Sequence, residues 1–122
     1  MRPATEKITV LVVDDQASIR KLVCHLLLGE GYQVLEAEDG MAAYELIQRL
    51  SGEIQVLVTD IDMPRMDGIT LGNKLRADYP NIEVLYISGL LRKPPQHSPS
   101  LHFLSKPFLP EALVRCVRDL SA

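Results

Sequence analysis

Three of the chain's short aliphatic runs stop at an oxygen-bearing side chain, and a fourth is followed by a lysine. Residues 8–13 end at Asp14-Asp15, residues 55–59 at Asp60, residues 82–87 at Ser88, and a short run around Leu101 and Leu104 precedes Lys106. Nearly continuous β-branched and aliphatic runs of this length are the pattern of strands buried on both faces. Residues 32–37 read as one more strand. Helical periodicity fills the gaps. Ile19, Leu22, Val23 and Leu26 form one stripe, with Gly29 and Gly31 near its end. Ala43, Leu46, Ile47 and Leu50 form a second stripe behind a potential cap at Asp39. A third helix follows the Pro/Gly-marked loop 61–68 and ends near Tyr79-Pro80, weakened by Gly72 and Asn73. A last helix opens with Pro110-Glu111 and is expected to bury Leu113, Cys116, Val117 and Leu120.

Strands alternating with helices imply βαβ units, hence an α/β fold with a parallel sheet and right-handed crossovers. Ligands of such sheets bind outside the carboxyl ends of the strands. That rule brings Asp14, Asp15, Asp60, Ser88 and Lys106 to one edge. Converging carboxylates repel one another and need a cation. A few oxygen ligands with room left for water and phosphate suit Mg²⁺ better than Zn²⁺, and Mn²⁺ is also acceptable. A lysine can hold a phosphoryl oxygen and a serine hydroxyl can donate to another. A carboxylate attacking phosphorus gives an acyl phosphate, with the protein supplying position and charge. Taken singly, each residue has a plainer reading: Asp14-Asp15 as a helix cap pair, Asp60 in a turn, Ser88 and Lys106 on the surface. Their shared place at strand ends favours the functional reading.

The motifs carrying these groups resemble the receiver family of two-component signalling over essentially the whole chain. They are Val12-Val13-Asp14-Asp15, the stretch from Thr59-Asp60-Ile61-Asp62-Met63-Pro64 through Arg65-Met66-Asp67-Gly68, Ser88-Gly89, and Lys106-Pro107-Phe108. The resemblance implies a flavodoxin-like, doubly wound five-stranded parallel sheet in the order 2-1-3-4-5, with a cis peptide before Pro107. It implies Asp60 as phosphoacceptor, Asp15 and Asp60 as direct Mg²⁺ ligands, Asp14 acting through water, and the backbone carbonyl of Asp62 as a further ligand. Lys106 would grip the phosphoryl group. Ser88 would move to bond it, and Phe103 stands at the aromatic switch position. The implied donor is a histidine kinase or histidine phosphotransfer domain, and the output is a changed face for a downstream protein, with no product of catalysis beyond the domain's own phosphorylation and dephosphorylation.

The chain departs from the family between Ser88 and Lys106, which is short and contains Pro94-Pro95 and Pro99. Prolines there block a helix, so a missing or degenerate fourth helix is expected, and with it an altered dimer face, leaving a monomer or weak dimer. His97 and His102 in this stretch read as ordinary loop histidines. Asp62, an acid two residues after the acceptor, is expected to affect phosphoryl lifetime.

Composition narrows the alternatives. With 122 residues, 47% hydrophobic and 24% charged, the chain reads as a single globular domain over 1–122 with its core at about 7–120. A net charge of −3 does not suggest nucleic-acid binding. Apolar runs such as Leu26-Leu27-Leu28 are far too short for a membrane span, and the polar first seven residues lack the apolar stretch of a signal peptide, so a cytoplasmic protein is expected. Cys24 and Cys116 are expected to be buried free thiols. An aspartate-nucleophile phosphatase would also use Asp60-Ile61-Asp62, but there the motif normally ends the first strand. A flavin-binding relative would place a phosphate-cradling loop where Asp14-Asp15 would repel phosphate. A binding-only pseudo-receiver is disfavoured by the complete acid, serine and lysine set. Either a stand-alone receiver or the receiver of a larger regulator or hybrid histidine kinase fits the sequence.

Overall fold

A computed structural model describes residues 7–89 and 102–122. The strands are β1 (Thr9–Val13), β2 (Gln33–Ala37), β3 (Val56–Asp60), β4 (Glu83–Ser88) and β5 (His102–Ser105). The helices are α1 (Ala17–Gly29), α2 (Gly40–Leu50), α3 (Gly68–Asp78) and α4 (Pro110–Ser121). All pairings are parallel, in the order β2-β1-β3-β4-β5. The expected doubly wound sheet is therefore present, and so is the cis peptide between Lys106 and Pro107. The fourth helix expected to be missing or degenerate falls on residues 90–101, which lie outside the described residues, as does His97. His102, expected in a loop, opens β5.

Alternation along each strand sorts the core into two layers. Leu11, Val13, Leu57, Val84 and Tyr86 pack with Ala43 and Ile47 of α2 and Leu71 and Leu75 of α3. Val10, Val12, Val56, Val58, Leu85 and Ile87 pack with Val23 and Leu27 of α1 and Leu113 and Val117 of α4. β1 and β3 are buried at every position, their apolar runs 10–13 and 56–58 flanked by buried Thr9, Thr59 and Asp60. β5 is half-exposed at the sheet's edge.

Three expectations about helix faces need correction. Leu22 is 51% exposed, because the inner face of α1 centres on Val23, Cys24 and Leu27. Leu120 and Cys116 are half-buried, because Leu113 and Val117 take the positions of α4 nearest the sheet. Both cysteines are free, and of the two Cys24 is the buried one.

Candidate functional site

Four of the five strands, all but β2, deliver the site's groups to the carboxyl edge. β1 delivers Asp14, 3% exposed, while Asp15 beside it faces outward. β3 ends in Asp60 and β4 in Ser88, 5% and 3% exposed. Carboxylate oxygens of Asp14, Asp15 and Asp60 all lie within 4.8 Å of one another. Lys106 reaches in from beyond β5, with Nζ 3.4 Å from Asp14 Oδ2 and 3.7 Å from Asp60 Oδ1. Its stem passes Gly89, where a Cβ would sit 3.3 Å from Lys106 Cδ, and its backbone N–H donates to Ser88 O at 2.8 Å. The five residues read from strand ends thus share one locus.

The electrostatics are those of a site short of positive charge. Burial, and next the neighbouring Asp14 carboxylate, push the Asp60 carboxyl from the ordinary range up to about 6, against the pull of Lys106 and the Asp62 backbone N–H. Among the described residues, Asp60 Oδ1 is buried without a hydrogen-bond partner. A buried carboxylate oxygen that lacks a hydrogen bond costs free energy unless further positive charge or a donor reaches it. The donor set is all oxygen, which is the chemistry of a hard divalent cation. These residues fit such an ion.

Several side chains position this cluster and were not legible as functional. Gln16 N–H donates to Asp14 Oδ1 at 2.9 Å. Arg20, in the first turn of α1, donates from Nη1 to Asp14 O at 2.7 Å and from Nε to Glu36 Oε1 at 2.8 Å. A cation at a helix N-terminus opposes the helix dipole, and that misplacement was the available signal. On the other flank, the loop between β3 and α3 is closed by a bond from Gly68 N–H to Ile61 O at 3.0 Å. A Cβ on Gly68 would lie 2.2 Å from Asp60 O, and one on Gly40 2.4 Å from Met66 O, so at both positions only glycine lets the backbones meet. Arg65 holds the left-handed φ of 68°, and its Nη1 pairs with the buried Asp39 at 3.2 Å. Asp39 also caps α2, accepting from Ala42 N–H at 2.8 Å as expected from sequence.

Phe103 lies on β5 directly opposite Tyr86 of β4, the rings stacked at 5.2 Å with 26° between their planes. By alternation Ser88 shares the sheet face of Tyr86. The arrangement offers a buried carboxylate, two further acids close enough to share a cation, and an ammonium 3.7 Å from the Asp60 carboxylate. It is suited to receiving a phosphoryl group.

Comparison with known proteins agrees. The response regulator receiver domain profile matches residues 10–118. The sensor kinase CckA of Brucella abortus is 36% identical over 117 residues, covering 92% of this chain, though the chain spans only 12% of that kinase. A CheY chemotaxis homologue of Campylobacter jejuni is 33% identical over 118 residues, covering 91% of this chain and 90% of its own. The CheX–CheY–BeF₃–Mg²⁺ complex of Borrelia burgdorferi contains a chain that superposes with a TM-score of 0.85 at 26% identity, covering 94% of this chain and 90% of that one.

Proposed function

Since the chain belongs to the response regulator receiver domain family, we propose that Asp60 is the phosphoacceptor of this signalling switch. The observation that carries the assignment is the buried Asp60 Oδ1, without a hydrogen bond among the described residues, inside an acidic cluster and 3.7 Å from the Lys106 ammonium. Asp14, Asp15 and Asp60, whose carboxylates converge, would hold Mg²⁺ (or Mn²⁺), with Asp15 and Asp60 as the direct ligands, Asp14 through water and the Asp62 carbonyl as a further oxygen. When bound, the cation supplies positive charge that offsets the carboxylates and the transferring phosphoryl oxygens.

The chain's own residues do the rest. Lys106 favours the ionised Asp60 and holds a phosphoryl oxygen as the group arrives. Asp60 attacks phosphorus, an oxygen–phosphorus bond forms, and the donor's bond to phosphorus breaks with its electron pair leaving on the donor. Ser88 then donates to a phosphoryl oxygen, and Phe103 turns inward behind it. Such a local charge event, coupled to an aromatic with two packed positions, biases a surface.

A histidine kinase or histidine phosphotransfer domain is the donor and a downstream protein the target. The whole chain acts as one receiver unit, monomeric or weakly dimeric, in the cytoplasm. No helix among the described residues is long and apolar enough to cross a membrane. The test is incubation with Mg²⁺ and acetyl phosphate, followed by intact mass measurement. One phosphoryl adduct is expected, absent in Asp60→Asn and after chelation. No adduct, or one that persists in Asp60→Asn, removes the assignment.

A further inference from the structure

Gly72 lies in the middle of α3, a costly place for glycine in a helix. Its reason is steric. A Cβ there would lie 1.8 Å from Tyr86 Oη and 2.7 Å from Cζ. Tyr86 is fully buried, so the phenol cannot swing clear into solvent. Its hydroxyl instead passes beneath α3 and accepts from Arg76 Nη2 at 3.1 Å, and the same nitrogen donates to Asn73 Oδ1 at 3.0 Å. At the other end of the side chain, the ring stacks on Phe103, its register partner across β4 and β5. One side chain therefore touches the switch aromatic with its face and a helix with its hydroxyl.

We propose that Tyr86 is a positioning residue of the switch: its ring sets the inner stop for Phe103, and its hydroxyl carries the movement of Phe103 to α3 through Gly72 and Arg76. The proposal rests on the phosphoacceptor reading above. Stacked rings keep contact only over centroid separations of about 4.5–7 Å, so a movement of Phe103 beyond that range either carries Tyr86 with it or breaks the stack. On the α3 side Tyr86 has little room to absorb a push, because the phenol meets the helix where Gly72 carries only hydrogen. Displacement of the ring is therefore displacement of the hydroxyl against the helix. Packed interfaces of this kind shift between discrete arrangements without deforming smoothly. The plainer alternative is that Arg76 merely satisfies a buried phenol. The two differ in one respect: a purely structural hydroxyl gives α3 no response to phosphorylation.

The experiment uses the full chain as wild type, Tyr86→Phe, Arg76→Ala and Asp60→Asn. Each is treated with Mg²⁺ and acetyl phosphate, adduct formation is read by intact mass, and hydrogen exchange is followed over residues 68–78 and over β4 and β5. Wild type is expected to change exchange in α3 several-fold on phosphorylation. Tyr86→Phe and Arg76→Ala should form the adduct normally and keep the response around Ser88 and Phe103, yet lose most of the response in α3. Arg76→Ala alters a partly exposed side chain and guards against a folding defect in the buried variant. An α3 response that is absent in wild type, or undiminished in both variants, overturns the proposal while leaving Asp60 as acceptor. Failure of wild type to form any adduct overturns both together.

Discussion

On one flank of Asp60 the chain is held by backbone against backbone. Gly68 meets the Asp60 carbonyl, Gly40 meets Met66 O, and Ile61 N–H donates to Ile87 O at 2.9 Å. On the other flank, the Tyr86 and Phe103 side chains are held by a ring stack, a phenol hydrogen bond and a half-exposed edge strand. Backbone contacts have one solution, whereas side-chain packing has several of similar energy. The difference teaches where precision and movement are allotted. The flank of main-chain contacts beside Asp60 admits one arrangement, and the flank of Tyr86 and Phe103 side chains admits more than one.

Substitution at the two crowded glycines tests that contrast most strongly. Gly68→Ala sets a Cβ against main chain that cannot move without displacing Asp60, so a loss of about 3 kcal/mol in denaturant unfolding is expected, with adduct formation abolished. Gly72→Ala meets a side chain, so about 2 kcal/mol is expected, and the Gly72→Ala/Tyr86→Phe double variant should recover part of it. No such recovery would mean that the second flank is as rigid as the first.

The acceptor itself comes next in size. Its carboxyl is raised from 3.8 to about 6 when folded, so the folded state retains a proton that the unfolded state releases. Stability from this group is full below the unfolded value and is lost as pH rises through about 6. In chelator at neutral pH, Asp60→Asn should therefore stabilise the fold by about 1.5 kcal/mol, less than the whole shift because the site relaxes. The gain should vanish in acid, and a gain that persists there would assign it to something other than charge. The smallest effect is at the clasp on the fixed flank. Asp39→Ala should cost about 1 kcal/mol by removing the cap on α2, and Asp39→Asn should restore most of it while still losing the Arg65 ion pair. Thermal unfolding of the pair separates the two contributions.

Much of this was legible because the chemistry sits where local patterns end. Asp14, Asp60 and Ser88 mark the last residues of apolar runs, and a parallel sheet brings such ends together. The strand bounds were read within about a residue for the same reason. What escaped was non-local. Gly72 looked like a weakness in α3, and only the fold reveals the Tyr86 hydroxyl that it accommodates. The acid pair at 14 and 15 could not be divided into an inner and an outer member, since that depends on how the chain turns after β1. Leu22 fitted the apolar stripe by count, but the burial arc of α1 is narrower than the stripe. The left-handed Arg65 has no sequence signature at all, because arginine is not a residue that favours that region.

The crowded glycines carry a consequence for how sequences of this kind can drift. Position 68 answers to a carbonyl oxygen, which every residue possesses, so no second change elsewhere can release it. Position 72 answers to the phenol of one side chain, Tyr86, chiefly to its hydroxyl and the ring carbon that bears it. In an alignment of relatives, 68 should stay glycine whatever stands around it, while 72 and 86 should change hands together, a larger residue entering the helix as the phenol leaves the strand.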